Sequence, residues 1–249
     1  MKYLIYILLF FCTNVVTIAQ TDTSLKARNE TFRKGNVSFG LKVGYTQSNI
    51  YGSDINYIFS DSKTSNLSSF HIGIVINSMA GKYFWLKHEL LAIEKGAGVI
   101  LNDSINGNYN SSLKMLSLNL FPISPCFHFK GFQLYVGPYV SALLNAQITR
   151  KDGNGKDYQD HSIFGDGSQF ENNTKYLQKM DFGLNAGIEY QFPFGLFIGA
   201  KYTQGYSNVF QYANSINFKD PKKEIKIYNQ SFLLSIGFSF VKHRKNGKN

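Results

Sequence analysis

Apolar residues occupy every second position in several stretches of this chain, with small or polar residues between them. In the stretch 39–46, Phe, Leu, Val and Tyr alternate with Gly, Lys, Gly and Thr, and the stretch 228–240 repeats the pattern with more rings. A period of two residues is typical of a β-strand whose two faces meet different surroundings. The uncharged stretch 131–149 is the best candidate for a spanning helix after residue 20, but its apolar residues also alternate, so we predict a strand there.

The alternating stretches predict eight antiparallel strands. They cover residues 37–50, 69–79, 84–96, 114–129, 132–148, 180–192, 196–206 and 226–240. Most of them exceed the roughly 9–11 residues that a tilted strand needs to cross a bilayer. Short connections near residues 81, 130–131 and 193–195 alternate with long ones at residues 51–68, 97–113, 149–179 and 207–225. Short periplasmic turns and long extracellular loops are typical of outer-membrane barrels.

The chemistry of the two strand faces decides which face is predicted to point inward. Alternation alone also fits a soluble barrel of the lipocalin type, which buries its apolar face. Here one face carries Gly, Ser, Asn, Lys and Glu, and the other carries Leu, Ile, Val and rings. A dry soluble core does not hold charged side chains unless they are paired. We therefore predict an all-β fold, an eight-stranded antiparallel transmembrane β-barrel, over residues 37–240.

Four charged residues are predicted to face the barrel interior: Lys42, Glu89, Glu189 and Lys201. Glu189 and Lys201 fall on adjacent strands, diagonal to each other. Eight strands leave an interior just wide enough for side chains to fill, so we expect a paired network that plugs the barrel. The alternative is a gated ion path through the same residues.

A change of phase is predicted within the fourth strand. Leu116, Leu118 and Leu120 would face outward, yet a two-residue turn at Lys130-Gly131 would pair Phe129 with Phe132 and turn the odd positions outward. The stretch 121–125 contains two prolines, which occur in strands at edges or bulges. Because a bulge inserts one extra residue, it reverses the phase, and we predict one here.

The two ends of the chain are predicted to lie outside the barrel. Lys2, the apolar run 3–12 and the small residues of Thr17-Ile18-Ala19 are typical of a signal peptide over residues 1–19, cleaved before Gln20. Residues 20–36 would form a short periplasmic segment, and residues 241–249 a basic periplasmic tail. The formal net charge is +10, but no nucleic-acid-binding motif accompanies it, so we expect no nucleic acid among the partners.

The sequence carries no motif that would make the chain an enzyme or a metal protein. The five histidines share no metal-ligand spacing. Residues 204–207, the nearest match to the His-x-Ser pair of lipid A deacylases, lack the histidine that would activate the serine. Oxygen-bearing residues in the stretch 152–171 do not have the spacing of an EF-hand calcium loop. We therefore expect no catalytic residue, no metal site and no cofactor, and we keep a lipid- or peptide-modifying enzyme and a small-solute or lipid conduit as alternatives.

The longest predicted loop, residues 149–179, is the candidate for partner contact. Loops longer than about 15 residues in a compact domain tend to be functional or disordered. Rings among polar residues are common contact groups at interfaces, and this loop holds Tyr158, Phe164, Phe170 and Tyr176. Outer-membrane lipid and an envelope protein that meets these loops are the expected partners, and the pattern indicates no oligomeric state.

The chain resembles the PorT-like outer-membrane β-barrel family, best known from Bacteroidetes, over most of residues 38–240. The matching stretches are SFGLKVGYTQSNI at 38–50, HELLAIEKGAG at 88–98, LSLNLFPISPCFHFKGFQLYVGPYVSALL at 116–144, KMDFGLNAGIEY at 179–190, GLFIGAKYTQGYSN at 195–208 and LLSIGFSF at 233–240. The resemblance implies the outer membrane and no particular reaction. The founding member of that family is tied to protein secretion, a role that does not transfer by fold alone. The tail 241–249 departs from related barrels, which end near the final aromatic residue.

Overall fold

A computed structural model of the chain describes residues 37–164, 177–210 and 225–240. The chain divides into two units, Met1–Asn36 and Val37–Asn249, and all described residues belong to the second. The predicted signal peptide, the segment 20–36 and the basic tail 241–249 lie outside the described residues.

The described residues form nine strands, and eight of them close into a ring. The strands are β1 (Val37–Gly52), β2 (Ser65–Met79), β3 (Phe84–Asp103), β4 (Gly107–Phe129), β5 (Phe132–Lys151), β6 (Asp157–Asp160), β7 (Met180–Gln191), β8 (Leu196–Gly205) and β9 (Ile227–Phe240), with a short helix α1 (Ile55–Ile58) and a 3-10 turn (Ser162–Phe164) between them. Each of the eight pairs antiparallel with its neighbours in chain order, and β1 pairs with β9 to close the ring. β6 adds a hairpin to the far end of β5.

The eight predicted strands are confirmed, but the predicted long loop at residues 97–113 is wrong. β3 and β4 continue as a ladder to Asp103 and Gly107, which leaves only a tight turn at residues 104–106. Apart from Ile100, the outward positions of this extension carry polar side chains or glycine, with Asn102 and Asn108 hydrogen-bonded to each other. The apolar alternation therefore stops where the outer face leaves the apolar belt, although the strands go on. β6 was also missed.

The ring turns its apolar face outward, which excludes the soluble lipocalin-type alternative. Phe70 is 77% exposed and Leu41 is 56% exposed, whereas Lys42 between the outward residues of β1 is only 1% exposed. A water-soluble protein rarely presents apolar patches of this extent, so this belt requires lipid around it. No helix in the described part of the chain has the length and apolar character of a membrane span.

The predicted bulge lies in β4 at residues 121–124. The pairing with β3 shifts between Lys87 and Glu89, and the pairing with β5 shifts between Leu120 and Cys126. Odd residues of β4 face inward up to Phe121, and even residues face inward from Ser124 onward. The ring of His88 on β3 donates a hydrogen bond to the carbonyl of Pro122, which the bulge removes from the ladder.

The barrel interior is filled in layers. At the end with the short turns, Trp85, Cys126 and Tyr135 pack together. A layer of charged side chains lies above them, followed by Leu91, Ile93, Phe121, Tyr139 and Leu233. An apolar cluster closes the opposite end, where the long loops are, and is described below.

Candidate functional site

Five charged side chains meet inside the barrel, and we call them the charge cluster: Lys42, Lys87, Glu89, Glu189 and Lys201. The ammonium of Lys42 lies 2.5 Å from a carboxylate oxygen of Glu89 and also binds Glu189. Lys201 pairs with the other oxygen of Glu89, and Lys87 pairs with the other oxygen of Glu189. Each residue is at most 3% exposed, so the cluster is closed off from bulk solvent.

The structure brings the four predicted interior residues together, with one different pairing and one additional member. Lys201 reaches Glu89 on the far side of the ring rather than Glu189 on the neighbouring strand. Lys87, the member that sequence reasoning missed, lies two positions before Glu89 on β3. It therefore shares the inward face with Glu89, and the alternation of β3 could have found it.

The charge cluster holds three ammonium groups and two carboxylates. Aromatic side chains contact the excess positive charge: the ammonium of Lys201 lies 3.7 Å from the ring centre of Phe121, and that of Lys87 lies 4.6 Å from the ring centre of Tyr135. The face of an aromatic ring attracts a cation, most strongly where water is excluded. The hydroxyl of Tyr135 also donates to Glu189 over 3.2 Å. Because its members come from β1, β3, β7 and β8, the cluster ties opposite walls of the barrel together.

A second polar layer surrounds Asp181, nearer the loops. Tyr139 donates its hydroxyl to Asp181 over 3.0 Å, and Ser207 donates over 2.5 Å. The ammonium of Lys95 lies 3.7 Å from the same carboxylate. Lys95 and Asp181 therefore carry equal and opposite charges. The excess of one positive charge among these interior residues lies in the charge cluster, with its three lysines and two glutamates.

A buried histidine bears on the enzyme alternative. The ring nitrogens of His71 lie 2.9 Å from the hydroxyl of Thr46 on one side and 2.9 Å from the hydroxyl of Ser235 on the other. In a serine–histidine–carboxylate triad the histidine is oriented by a carboxylate, and here a threonine hydroxyl takes that place. His71 is 3% exposed, within a filled interior. His71 and Ser235 therefore lack both a carboxylate that would orient the histidine and an open face at which a substrate could bind.

The described residues contain no group of three or more potential metal ligands. Among the oxygen-bearing loop residues, Asp152 accepts hydrogen bonds from the backbone N–H groups of Asn154 and Lys156, and Asp160 pairs with Arg150 at 2.5 Å. Asp166 and Glu171 lie outside the described residues.

The loop end of the barrel is closed by an apolar cluster, which we call the loop-end core. Its members are buried and come from strand ends and loops alike: Ile50, Ile55, Phe59, Ala97, Val99, Leu101, Leu113, Met115, Ala146, Ile148, Ile163, Leu177, Val209, Phe210, Ile225 and Ile227. Backbone hydrogen bonds also join the loops that contribute to it, including Gln178 N–H to Val209 O at 2.8 Å. A shared apolar core orders the described loop segments into one layer across the mouth of the barrel.

Two hairpin tips stand side by side above the loop-end core, and we call them the tip surface: the turn 104–106 and the hairpin 152–160. The amide of Asn106 donates to the carbonyl of Asp152 over 3.2 Å, which links the two tips. Ile105 is 70% exposed on the first tip, and Tyr158 is 47% exposed on the second. Sequence reasoning missed Ile105, because an isolated apolar residue in a turn carries no periodic signal.

The four predicted contact rings are placed differently. Tyr158 stands exposed on the tip surface, whereas Phe164 is half-buried against the loop-end core beside Lys179. Phe170 and Tyr176 lie outside the described residues.

Two carboxylates stabilise the tip surface and have lowered pKa values. Backbone N–H groups of Asn106, at 2.6 Å, and Ile105, at 2.9 Å, donate to Asp103 and lower its pKa. Partial burial alone would raise the pKa of Asp160, but hydrogen bonds from Ser162 and Arg150 outweigh it and hold the pKa below 3.8. Both carboxylates therefore remain charged at neutral pH and keep their turns folded.

A family comparison agrees with this architecture. Residues 18–211 match the model of the outer membrane protein beta-barrel domain. The chain belongs to the outer membrane protein beta-barrel domain family. This membership, together with the closed ring of strands and its apolar outer face, places the protein in the cell outer membrane. No curated protein matches the chain.

Solved structures with a similar fold are outer-membrane proteins of low sequence identity. The attachment invasion locus protein Ail of Yersinia pestis is 11% identical, with a TM-score of 0.42 over 82% of this chain and 99% of Ail. OprG of Pseudomonas aeruginosa is 12% identical, with a TM-score of 0.44 over 83% and 97% of the two chains. Outer Membrane Protein W of E. coli is 15% identical, with a TM-score of 0.39 over 82% and 98%. The likeness at these identities concerns the fold alone.

Proposed function

We propose that this protein is a non-enzymatic outer-membrane barrel that binds a partner at the cell surface through its loops. The partner is an envelope or external protein, and the contact is made by the tip surface. Support of a secretion complex, as the resemblance to the PorT-like barrels suggests, belongs to the same proposal.

The observation that carries the proposal is the ordered loop end. The 20 residues of β3 and the 23 of β4 exceed the roughly 9–11 residues of a membrane-crossing strand by about ten and about thirteen residues. Their extensions hold the loop-end core and raise two exposed apolar groups, Ile105 and Tyr158, above it. A rigid, partly apolar platform loses little conformational entropy when it binds, which favours a specific contact.

The interior supports a structural plug more than a conduit. The charge cluster joins opposite walls, and the loop-end core lies across the mouth. A solute that crossed the barrel would have to separate buried ion pairs and displace apolar packing. Both steps are costly in a confined, water-poor space.

Point variants of the tip surface test the proposal better than deletion of the loop. Deletion of residues 151–173 would remove Ile163 from the loop-end core and disturb the fold. Replacement of Ile105 and Tyr158 by serine changes only exposed groups. In living cells cross-linked before lysis, the double variant should lose the envelope proteins that co-purify with the wild type.

The matched control is Tyr83→Ser, which replaces a tyrosine of similar exposure, 45%, at the opposite end of the barrel. It should retain the cross-linked proteins. An unchanged set of proteins with the Ile105 and Tyr158 double variant would refute the proposal and direct attention to the lipid-facing wall.

A further inference from the structure

The lipid-facing wall contains a groove over Ala200. Among the outward residues paired with one another across the neighbouring described strands, Ala200 is the one with a small side chain. Adjacent outward residues across four strands are Ile188, Ala200, Leu234 and Tyr45. The groove measures about 590 Å³ and is lined mainly by apolar groups, from Phe132 and Tyr190 to Tyr45. From Phe132 on β5 to Tyr45 on β1 the groove crosses five strands, so four steps of ~4.8 Å between strands make it roughly 19 Å long.

One end of this groove meets a second, polar pocket at the turn end of the barrel. That pocket measures about 260 Å³ and shares Tyr190 with the groove. Its lining includes Lys130 in the turn, and His128 and Trp85, which face the barrel interior, so this pocket lies at the rim between the interior and the lipid-facing wall. None of the described residues that line it is acidic. The ring of His128 is stacked on Trp85, with ring centres 3.9 Å apart, which fixes the imidazole at the edge of the pocket.

The backbone at Lys130 gives an independent reason to look for a ligand. Lys130 has a φ of 49°, and it is the one residue other than glycine in the described ranges with a positive φ. In a two-residue hairpin turn this position favours Asn, Asp or Gly, so a lysine there is strained. Strain of this kind clusters at ligand-binding sites, where the side chain is needed more than the ideal turn residue.

We propose that the pocket and groove together bind one glycerophospholipid of the leaflet on the turn side. The phosphate lies against the ammonium of Lys130 and the imidazole of His128, and one acyl chain lies in the groove over Ala200. A cation beside aromatic rings suits the phosphate layer, where Phe132, Tyr190 and Phe192 form a chain of ring contacts of 4.8 and 4.9 Å. The site therefore matches both parts of a phospholipid, a single anionic group joined to a long apolar chain.

Native mass spectrometry of the detergent-purified barrel tests this inference with two probes, phosphatidylglycerol and a diacylglycerol with the same chains. We expect the wild type to retain one phosphatidylglycerol and to bind the diacylglycerol at least tenfold more weakly. Lys130→Asn should weaken phosphatidylglycerol binding about tenfold. The same change should raise the urea midpoint of the lipid-free barrel, because asparagine suits the turn. A merely structural role for Lys130 predicts no loss of lipid.

Ala200→Trp should fill the groove and abolish retention of the lipid, and Ala200→Leu serves if the larger residue prevents assembly. Two variants are matched controls: Lys82→Ala removes another exposed lysine of the turn end that lies over a ring, and Ala92→Trp enlarges an outward alanine on β3. Both controls should bind as the wild type does. Equal binding by all variants, or equal binding of the two probes, would overturn the inference.

Discussion

Replacement of Glu89 by glutamine is expected to destabilise the barrel far more than replacement of a lysine of the charge cluster. Glu89 is 2% exposed and accepts from both Lys42 and Lys201. Without its charge, three lysines would face one carboxylate. Loss of one partner from a buried ion pair costs about 3–5 kcal/mol, because the remaining charge stays buried and unpaired.

Replacement of Lys87 by methionine should have a much smaller effect. It leaves two lysines and two glutamates, and Glu189 still accepts from Lys42 and Tyr135. The lost charge-assisted hydrogen bond is offset by removal of the excess positive charge, so we expect a cost of about 1 kcal/mol or less. The two variants should therefore differ by about 2–4 kcal/mol, or roughly 30- to 700-fold in the unfolding equilibrium.

The assay is reversible urea unfolding in lipid vesicles, followed by tryptophan fluorescence. The chain contains a single tryptophan, and Trp85 lies buried inside the barrel next to the charge cluster, so its emission reports whether the packing around the cluster is intact. If both variants lose the same stability, the charge count does not govern the interior. If Glu89→Gln unfolds at the wild-type urea concentration, the cluster contributes nothing measurable.

Three further predictions concern the bulge, the orientation and the tip surface. Deletion of Ile123 removes the extra residue of the bulge and should prevent assembly into a barrel whose gel mobility changes on boiling. Deletion of Ser104 from a turn is the control and should leave assembly intact. A change of gel mobility on boiling that persists without Ile123 would contradict the predicted change of phase. A tag inserted in the turn 153–155 should be stained on intact cells and a tag after Asn249 should not, and the reverse pattern would invert the topology. The carboxyl of Asp160 should titrate below 3.8 by NMR. Because folding lowers the pKa of Asp160, its charged carboxylate stabilises the hairpin at pH values above the unfolded-state pKa, and this stabilisation is lost as the pH falls through the folded-state pKa. Titration above 3.8 would contradict the assigned hydrogen bonds.

The strands, their antiparallel order and the bulge could be predicted from the sequence, because each depends on the alternation of residues along one strand. Side chains of a strand point to opposite faces in turn, so the contrast between Lys42 and its neighbours Leu41 and Val43 already marks two environments. The two-residue turn after Phe129 required a change of phase, and the prolines of the stretch 121–125 indicated its position. The register of β4 shows the change there.

The tertiary structure decided what depends on closure of the ring. Lys201 binds Glu89 rather than Glu189, because the tilt and stagger of the closed strands bring β3 and β8 across the interior, and no local pattern encodes that distance. The upper ladder of β3 and β4 escaped prediction, because its outer face, apart from Ile100, is as polar as a loop once it leaves the lipid. The loop-end core assembles segments as distant in the chain as Phe59 and Phe210, whose shared burial appears only when the barrel brings their strands together.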